Sequence, residues 1–319
     1  MIQTRFTALV GCSVPIQQAG MGLARHELAV AVARAGAMGM LGGVMQPPAL
    51  LADEVESARK ESGGPVGVNF LMPFLDRAAV EATAPRARLV EFSYGDPDAD
   101  LVKIVRDAGA LAAWQTGSGE EARAAEQAGC DFVIAQGVEA GGHVRGTTGL
   151  LPLLDEVLDA VDVPVVAAGG IGTERGMAAA LAAGADAVRV GTRFLAAEEA
   201  DVHAAYAEAL VEAGPEDTQL TEAFSVMWPN APHRVLSSCI EAAQGLEDEF
   251  VGEIDHAGDR MQVPRLSPPS PGRTATGRVD AMALYAGQSV GAIQRLQPAE
   301  AIVRDLAEGA ERLLRKWGT

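Results

Sequence analysis

The feature that most constrains this chain is an alternation, sustained over its first two-thirds, of short apolar runs with alanine-rich stretches. The runs are PIQQAG from residue 15, AMGMLGG from 37, PVGVNFL from 65, LVEFSYG from 89, ALAAWQTG from 110, DFVIAQG from 131, PVVAAGG from 164 and DAVRVGT from 186. Between them lie helix-like segments such as RHELAVAVARA, PALLADEVESARK, LLPLLDEVLDAV and TERGMAAALAAG. Eight strand-helix units at this regular spacing predict a closed (β/α)8 TIM barrel, α/β in class, rather than an open doubly wound sheet. A weak repeat agrees. RAGAMG (34–39), DAGALA (107–112), QAGCDF (127–132) and AAGADA (182–187) each put Ala-Gly where a helix ends and a strand begins. A glycine just past a helix adopts the left-handed conformation that closes it.

After about residue 213 the pattern changes. AGPEDTQL reads as a loop, PHRVLSSCIEAAQG as a helix, and QVPRLSPPSPGRTATGR as an irregular stretch in which Pro268, Pro269 and Pro271 forbid helix and imply an extended, exposed loop. Helical sequence returns in DAMALYAGQSVGAIQRL and PAEAIVRDLAEGAERLLRKW. The expected organisation is a barrel of residues 1–213 and 293–319, with 214–292 as a smaller helical cap that governs access.

Composition narrows the partners. The 319 residues are 48% hydrophobic and 4% aromatic, so the core is aliphatic. No apolar run reaches the roughly 18 residues of a membrane span, and the N-terminus lacks a signal-peptide layout, so the expectation is cytoplasmic. A formal charge of −18 makes nucleic acid a poor partner. An anionic ligand would have to be held by local dipoles. Cys12, Cys130 and Cys239 share no pairing or metal spacing and read as buried, inert thiols. His26, His203, His233 and His256 have no partners at metal-ligand spacing and receive no role, and no metal is expected.

Barrel chemistry lies at the C-terminal ends of the strands, with phosphate after strands seven and eight. There the sequence reads AAGGIGTERG and VRVGTRF. Gly169, Gly170 and Gly172 offer bare N–H groups at the start of a helix, and Gly191 and Thr192 add another N–H and a hydroxyl. The loop after strand six, QGVEAGGHVRG, sets His143 among glycines, including Gly142. Its ordinary pKa of roughly 6.5 suits proton traffic near neutrality, and so few neighbouring side chains imply a ring with few packing contacts. Glu139 either orients His143 or solvates the loop, and Arg145 reads as a surface or rim charge. Gln18, Gly20 and Met21 end strand one, Asn69 ends strand three and Gln115 ends strand five; each amide is placed to bond a planar polar ring or a neighbouring loop.

PIQQAGMG, GVNF, QGVEAGGH, VPVVAAGGI, GADAVRVGTRF and YAGQSVG resemble, in order, the motifs of the nitronate monooxygenase family, formerly called 2-nitropropane dioxygenases. FMN-dependent enoyl-acyl-carrier-protein reductases and some NADH:quinone reductases share the scaffold. The resemblance implies non-covalent FMN, with its phosphate on Gly169, Gly170, Gly191 and Thr192. It places the isoalloxazine near Gly20, Met21, Asn69 and Gln115, with Gln288 close by, and makes His143 the catalytic residue facing the substrate. Two departures stand out: Gln17 where an apolar residue is usual, and Gln115 where relatives often carry lysine. The implied reaction is oxidation of alkyl nitronates by O2 to a carbonyl compound and nitrite. His143 would act either as base toward the neutral nitroalkane or as an imidazolium holding the nitronate. The alternative is a reductase in which NAD(P)H reduces FMN for an enoyl thioester or a quinone.

Overall fold

The computed structural model describes residues 2–317, Trp317 in its backbone alone. Eight parallel strands, β1 (Ile16–Gln18), β2 (Gly39–Gly42), β3 (Val66–Leu71), β4 (Leu89–Ser93), β5 (Leu111–Thr116), β6 (Phe132–Gln136), β7 (Val165–Ala168) and β8 (Ala187–Val190), pair in the order β1-β8-β7-β6-β5-β4-β3-β2. A parallel bridge from Gln17 to Met38 joins the two ends, with Met38 N donating to Ile16 O at 2.9 Å and Gln18 N to Met38 O at 3.0 Å. The barrel is closed. All four Ala-Gly junctions do what their sequence implies: Gly36, Gly109, Gly129 and Gly184 have φ between 87° and 109°.

Because side chains alternate along a strand, one set faces the helices and the other the barrel interior. Val90, Phe92, Ala112, Trp114, Val133 and Val188 join the outer layer, where helices such as Pro48–Ser62 and Glu174–Ala182 bury their apolar faces. Leu89, Ala113, Phe132, Ile134, Val166 and Ala187 fill the interior. A short helix, Arg5–Val10, plugs its N-terminal end with Phe6, whose ring meets Phe132 edge-on at 5.4 Å. Arg88 of the barrel wall holds the plug by donating to the carbonyls of Leu9 and Val10. The helix after β8 has only four residues, Thr192–Leu195, and the nineteen-residue helix Ala299–Trp317 packs between Glu174–Ala182 and His26–Arg34 in its place.

Residues 214–292 lie over the C-terminal mouth and differ from the helical composition expected of them. Ser237–Gln244 is helical, as PHRVLSSCIEAAQG implies, but most of the regular structure is β. Thr218–Thr221 pairs with His233–Leu236, and Phe250–His256 with Asp259–Pro264 around a turn at Ala257 and Gly258. DAMALYAGQSVGAIQRL is not an α-helix. Leu236 N donates to Leu284 O and Ala286 N to Arg234 O, so the 284–286 backbone runs extended along His233–Leu236, leaving only 3-10 turns at Val279–Ala281 and Gln288–Ala292. The proline-rich loop is irregular, as expected, yet it is not exposed. Pro268 and Pro269 are half-buried and Pro271 is buried, because Tyr285 Oη donates to Pro268 O at 2.9 Å and His203 N to Pro271 O at 3.2 Å. Among the described residues no helix is long and apolar enough to cross a membrane.

Phe6→Ala should empty the plug and destabilise the protein by about 3–5 kcal/mol. The check is the urea midpoint, which should fall with little change in slope; an unmoved midpoint would show that the plug contributes nothing to stability.

Candidate active site

Toward the mouth the inward alternation turns polar: Leu89 gives way to Glu91 and Ser93, Ala113 to Gln115, Ile134 to Gln136, and Ala187 to Arg189. These side chains are joined. Glu91 accepts from Gln17 Nε2 at 2.7 Å, from Asn69 Nδ2 at 2.6 Å and from the Arg189 guanidinium. Asn69 Nδ2 also reaches Ser93 Oγ at 3.2 Å. Gln115 Nε2 donates to Gln136 Oε1 at 3.0 Å, and Gln136 Nε2 to the His143 carbonyl at 3.2 Å. Above this floor opens a cavity of about 640 Å³, within the range of cofactor and ligand sites.

At one end of the cavity the chain turns through Gly169 (φ 104°) and Gly170 (φ 68°), a conformation that favours glycine. The helix Glu174–Ala182 follows, its Thr173 hydroxyl capping Gly176 N. Gly169, Gly170, Ile171 and Gly191 line the cavity, and their N–H groups donate to no acceptor among the described residues. Backbone donors are seldom left without a partner, and a cluster of them beside a helix start is suited to an anion. Thr192 Oγ1 accepts from Gly287 N at 3.0 Å, which leaves its own hydroxyl hydrogen to donate. An anion cradle at one end and fixed amides at the other fit a phosphorylated planar cofactor such as FMN.

His143 stands on a two-residue strand, Gly142–His143, that pairs with His233 and Arg234 of the 214–292 segment. The expectation of few packing contacts is overturned. Its ring stacks on Trp228 at 3.8 Å and 19°, and Tyr94, His233 and Tyr285 surround it at centroid distances of 5.7, 5.1 and 5.5 Å. Neither ring nitrogen has a partner among the described residues, and Nε2 is fully buried. Burial, aided by neighbouring His233, pushes its pKa down to about 3, so the ring is neutral at physiological pH. His233, given no role from sequence, is fixed by Nδ1 to Ala231 O at 2.8 Å and by Phe224 N donating to Nε2 at 3.2 Å.

Gly20, Met21, Asn69, Gln115, Gly142, His143, Gly169, Gly170, Gly191 and Thr192 all line the cavity. Gln288 does not. The 3-10 turn it begins leaves it exposed, and Ser289 lines the wall instead. Glu139 neither orients His143 nor solvates the loop: its carboxylate accepts from Leu150 N at 3.0 Å, at the start of the helix Leu150–Leu158. Arg145 is a rim charge paired with Asp96 and Glu121. The three cysteines are buried, and burial pushes each thiol up to about 12. Sequence reasoning missed Trp228, Tyr94 and Tyr285, which nothing local ties to the histidine. Glu91 and Arg189 did carry a sign, as lone charges inside apolar strands.

Fold and site together define a β/α barrel whose C-terminal mouth holds a polar-floored cavity edged by unpartnered backbone N–H groups. Residues 3–83 and 72–309 match the nitronate monooxygenase family, and the chain belongs to it; it is a flavin-dependent oxidoreductase. It is 33% identical over 261 residues to the (3aS,4S,5R,7aS)-5-hydroxy-7a-methyl-1-oxo-octahydro-1H-indene-4-carboxyl-CoA dehydrogenase of Rhodococcus jostii, covering 81% of this chain and 69% of the relative. The solved structure of FabK from Thermotoga maritima superposes with a TM-score of 0.83 at 32% identity, over 99% of both chains. Nitroalkane oxidase from Streptomyces ansochromogenes gives 0.79 at 30% identity, over 98% of this chain and all of that one.

The depressed pKa of His143 links stability to pH. Between 6.5 and about 3 the unfolded chain takes up a proton that the folded ring refuses. The ring's contribution is therefore complete above pH 6.5 and is lost as pH falls through that window. His143→Asn lacks this dependence, so the stability difference between native and variant in urea should shift against the native protein from about pH 7.5 to about pH 5. An unchanged difference would mean the ring is solvated.

Proposed function

We propose that the cavity binds FMN and oxidises alkyl nitronates with O2 to a carbonyl compound and nitrite. The observation that carries the cofactor assignment is the set of unpartnered N–H groups at Gly169, Gly170, Ile171 and Gly191. They would hold the phosphate with the Thr192 hydroxyl, while Asn69, Gln115 and Met21 would lie along the ring. Bound there, FMN would supply the two-electron redox chemistry.

His143 supplies the proton chemistry. Its ring nitrogens are unpaired and the ring is neutral, so it enters the reaction able to accept a proton and not as a standing imidazolium. Burial opposes the charge that such a transfer creates, and a nitronate formed beside the ring would compensate it. Trp228, stacked on His143, fixes the ring plane and keeps water from one face.

A second reading has its own support. Beyond the inner wall the cavity widens into an apolar entrance formed by Met45, Leu50, Met227, Ile254 and Met261, three of them exposed by half or more. An extended acyl thioester would cover that surface, as would a quinone, in an NAD(P)H-dependent reductase. In either reading residues 214–292 act as a cap that shapes access.

Purified protein should carry FMN, and Gly170→Leu should release it while the fold survives, because a side chain at φ 68° is strained and its Cβ would meet Glu139 Cβ at 3.3 Å. His143→Asn should retain FMN and lose about 10²–10⁴-fold on the neutral nitroalkane, with the pre-ionised nitronate much less affected. O2 consumption and nitrite release measure both. Flavin that bleaches anaerobically with NADH or NADPH and reoxidises with an enoyl thioester or a quinone, without nitrite from either nitro form, would assign the reductase activity instead.

A further inference from the structure

We propose that Glu91 is a positioning residue that sets the redox potential of the bound flavin, by cancelling the charge of Arg189 and by aligning Asn69. The proposal rests on the flavin reading above. Arg25 and Arg189 are the arginines of the cavity wall, and no lysine lines it. Arg25, near the entrance, is paired with Glu54. Arg189 is therefore the one full cation at the inner end, where Gln115 provides only a neutral amide, and it is 7% exposed. Its partner Glu91 is completely buried directly behind it. The inner wall thus has a strong local cation whose field is cancelled from behind.

A purely structural pair is a poor account of this arrangement. Desolvating two charges costs about as much as their attraction returns, and apolar side chains would fill a barrel interior at least as well. The carboxylate also does something apolar packing would not. By accepting from Asn69 Nδ2 at 2.6 Å, with Ser93 Oγ within reach of both Asn69 Nδ2 and Oδ1, Glu91 fixes the plane of the Asn69 amide. Asn69 therefore lines the cavity with an amide whose plane is fixed. A neutralised arginine withholds positive potential from the ring, and a reduced flavin, which gathers negative charge, is stabilised less than an unpaired Arg189 would allow.

The test is the midpoint potential of FMN bound to native protein, Glu91→Gln, Arg189→Gln and the double variant. Glu91→Gln preserves shape, and Gln17 can accommodate it: Gln17 Oε1 is buried without a partner, and a turned amide would accept the new N–H. Removing the carboxylate should raise the potential by at least about 30 mV, tenfold in the relative binding of reduced over oxidised flavin for a two-electron couple. Arg189→Gln should lower it, and the double variant should return toward the native value. A loosened structure would not produce opposite shifts that cancel, and either single variant that folds decides the matter. Flavin bound with an unshifted potential in that variant overturns the role of Glu91 and leaves the cofactor assignment intact. Native protein that binds no FMN removes the cofactor reading, and this inference with it.

Discussion

Ile16, Gln17 and Gln18 form the shortest strand of the barrel, and it is paired on both sides, to Val188–Val190 of β8 along its length and to Met38 through Gln17. That double pairing closes the cylinder. In a closed parallel barrel every strand delivers its last residue to the same rim, so Asn69, Gln115, Gln136 and Arg189, distant in sequence, share one floor. Closure also fixes which residues of each strand point inward, since a slip of one residue would turn every side chain to the other face. The polar layer of the mouth is thus a consequence of register. Leu89 and Glu91 are two residues apart on one face, and the first belongs to an apolar interior while the second anchors the cavity floor.

What could be read from the sequence was whatever local chemistry determines. The eight strands are apolar runs with glycine punctuation, and their helices end at glycines whose left-handed φ only that punctuation predicts. The glycine turns that line the cavity were legible for the same reason, because Gly169, Gly170 and Gly191 sit where a parallel barrel must turn. The 214–292 segment was less legible. Phe250–His256 shows no regular apolar–polar alternation, and in Asp259–Pro264 the alternation is confined to Arg260, Met261, Gln262 and Val263, too short a run to mark a strand. The run from Asp280 to Leu296 has helical composition, but Ala286 N donates to Arg234 O and Leu284 O accepts from Leu236 N, and this tertiary pairing overrides propensity.

The surroundings of His143 belong to the part that no local pattern holds. Tyr94 follows β4, Trp228 and His233 come from the segment over the mouth, and Tyr285 arrives with the extended strand that replaced an expected helix. Each is unremarkable in its own stretch of sequence. Packed together they exclude water from the ring, and exclusion of water drives its pKa down. A histidine on a glycine loop suggests an exposed, near-neutral acid–base group. The same histidine under Trp228 is a neutral ring whose protonation must be compensated by an anion beside it.

Taken together, these features show where charge is permitted in the site. The protein carries a net −18, so its long-range field opposes an anionic cofactor. That field is screened beyond about 8–10 Å, and inside that distance an anion at the glycine turns would meet N–H dipoles and a helix start, which carry no net charge. Arg189 is cancelled by Glu91, Arg25 by Glu54, and His143 is held neutral by burial. Binding by dipoles leaves the cavity wall without a resident unpaired arginine or lysine, so a negative charge created there meets no competing fixed cation. This is the physical sense in which an acidic, aliphatic barrel with few aromatic residues collects three of them around one histidine.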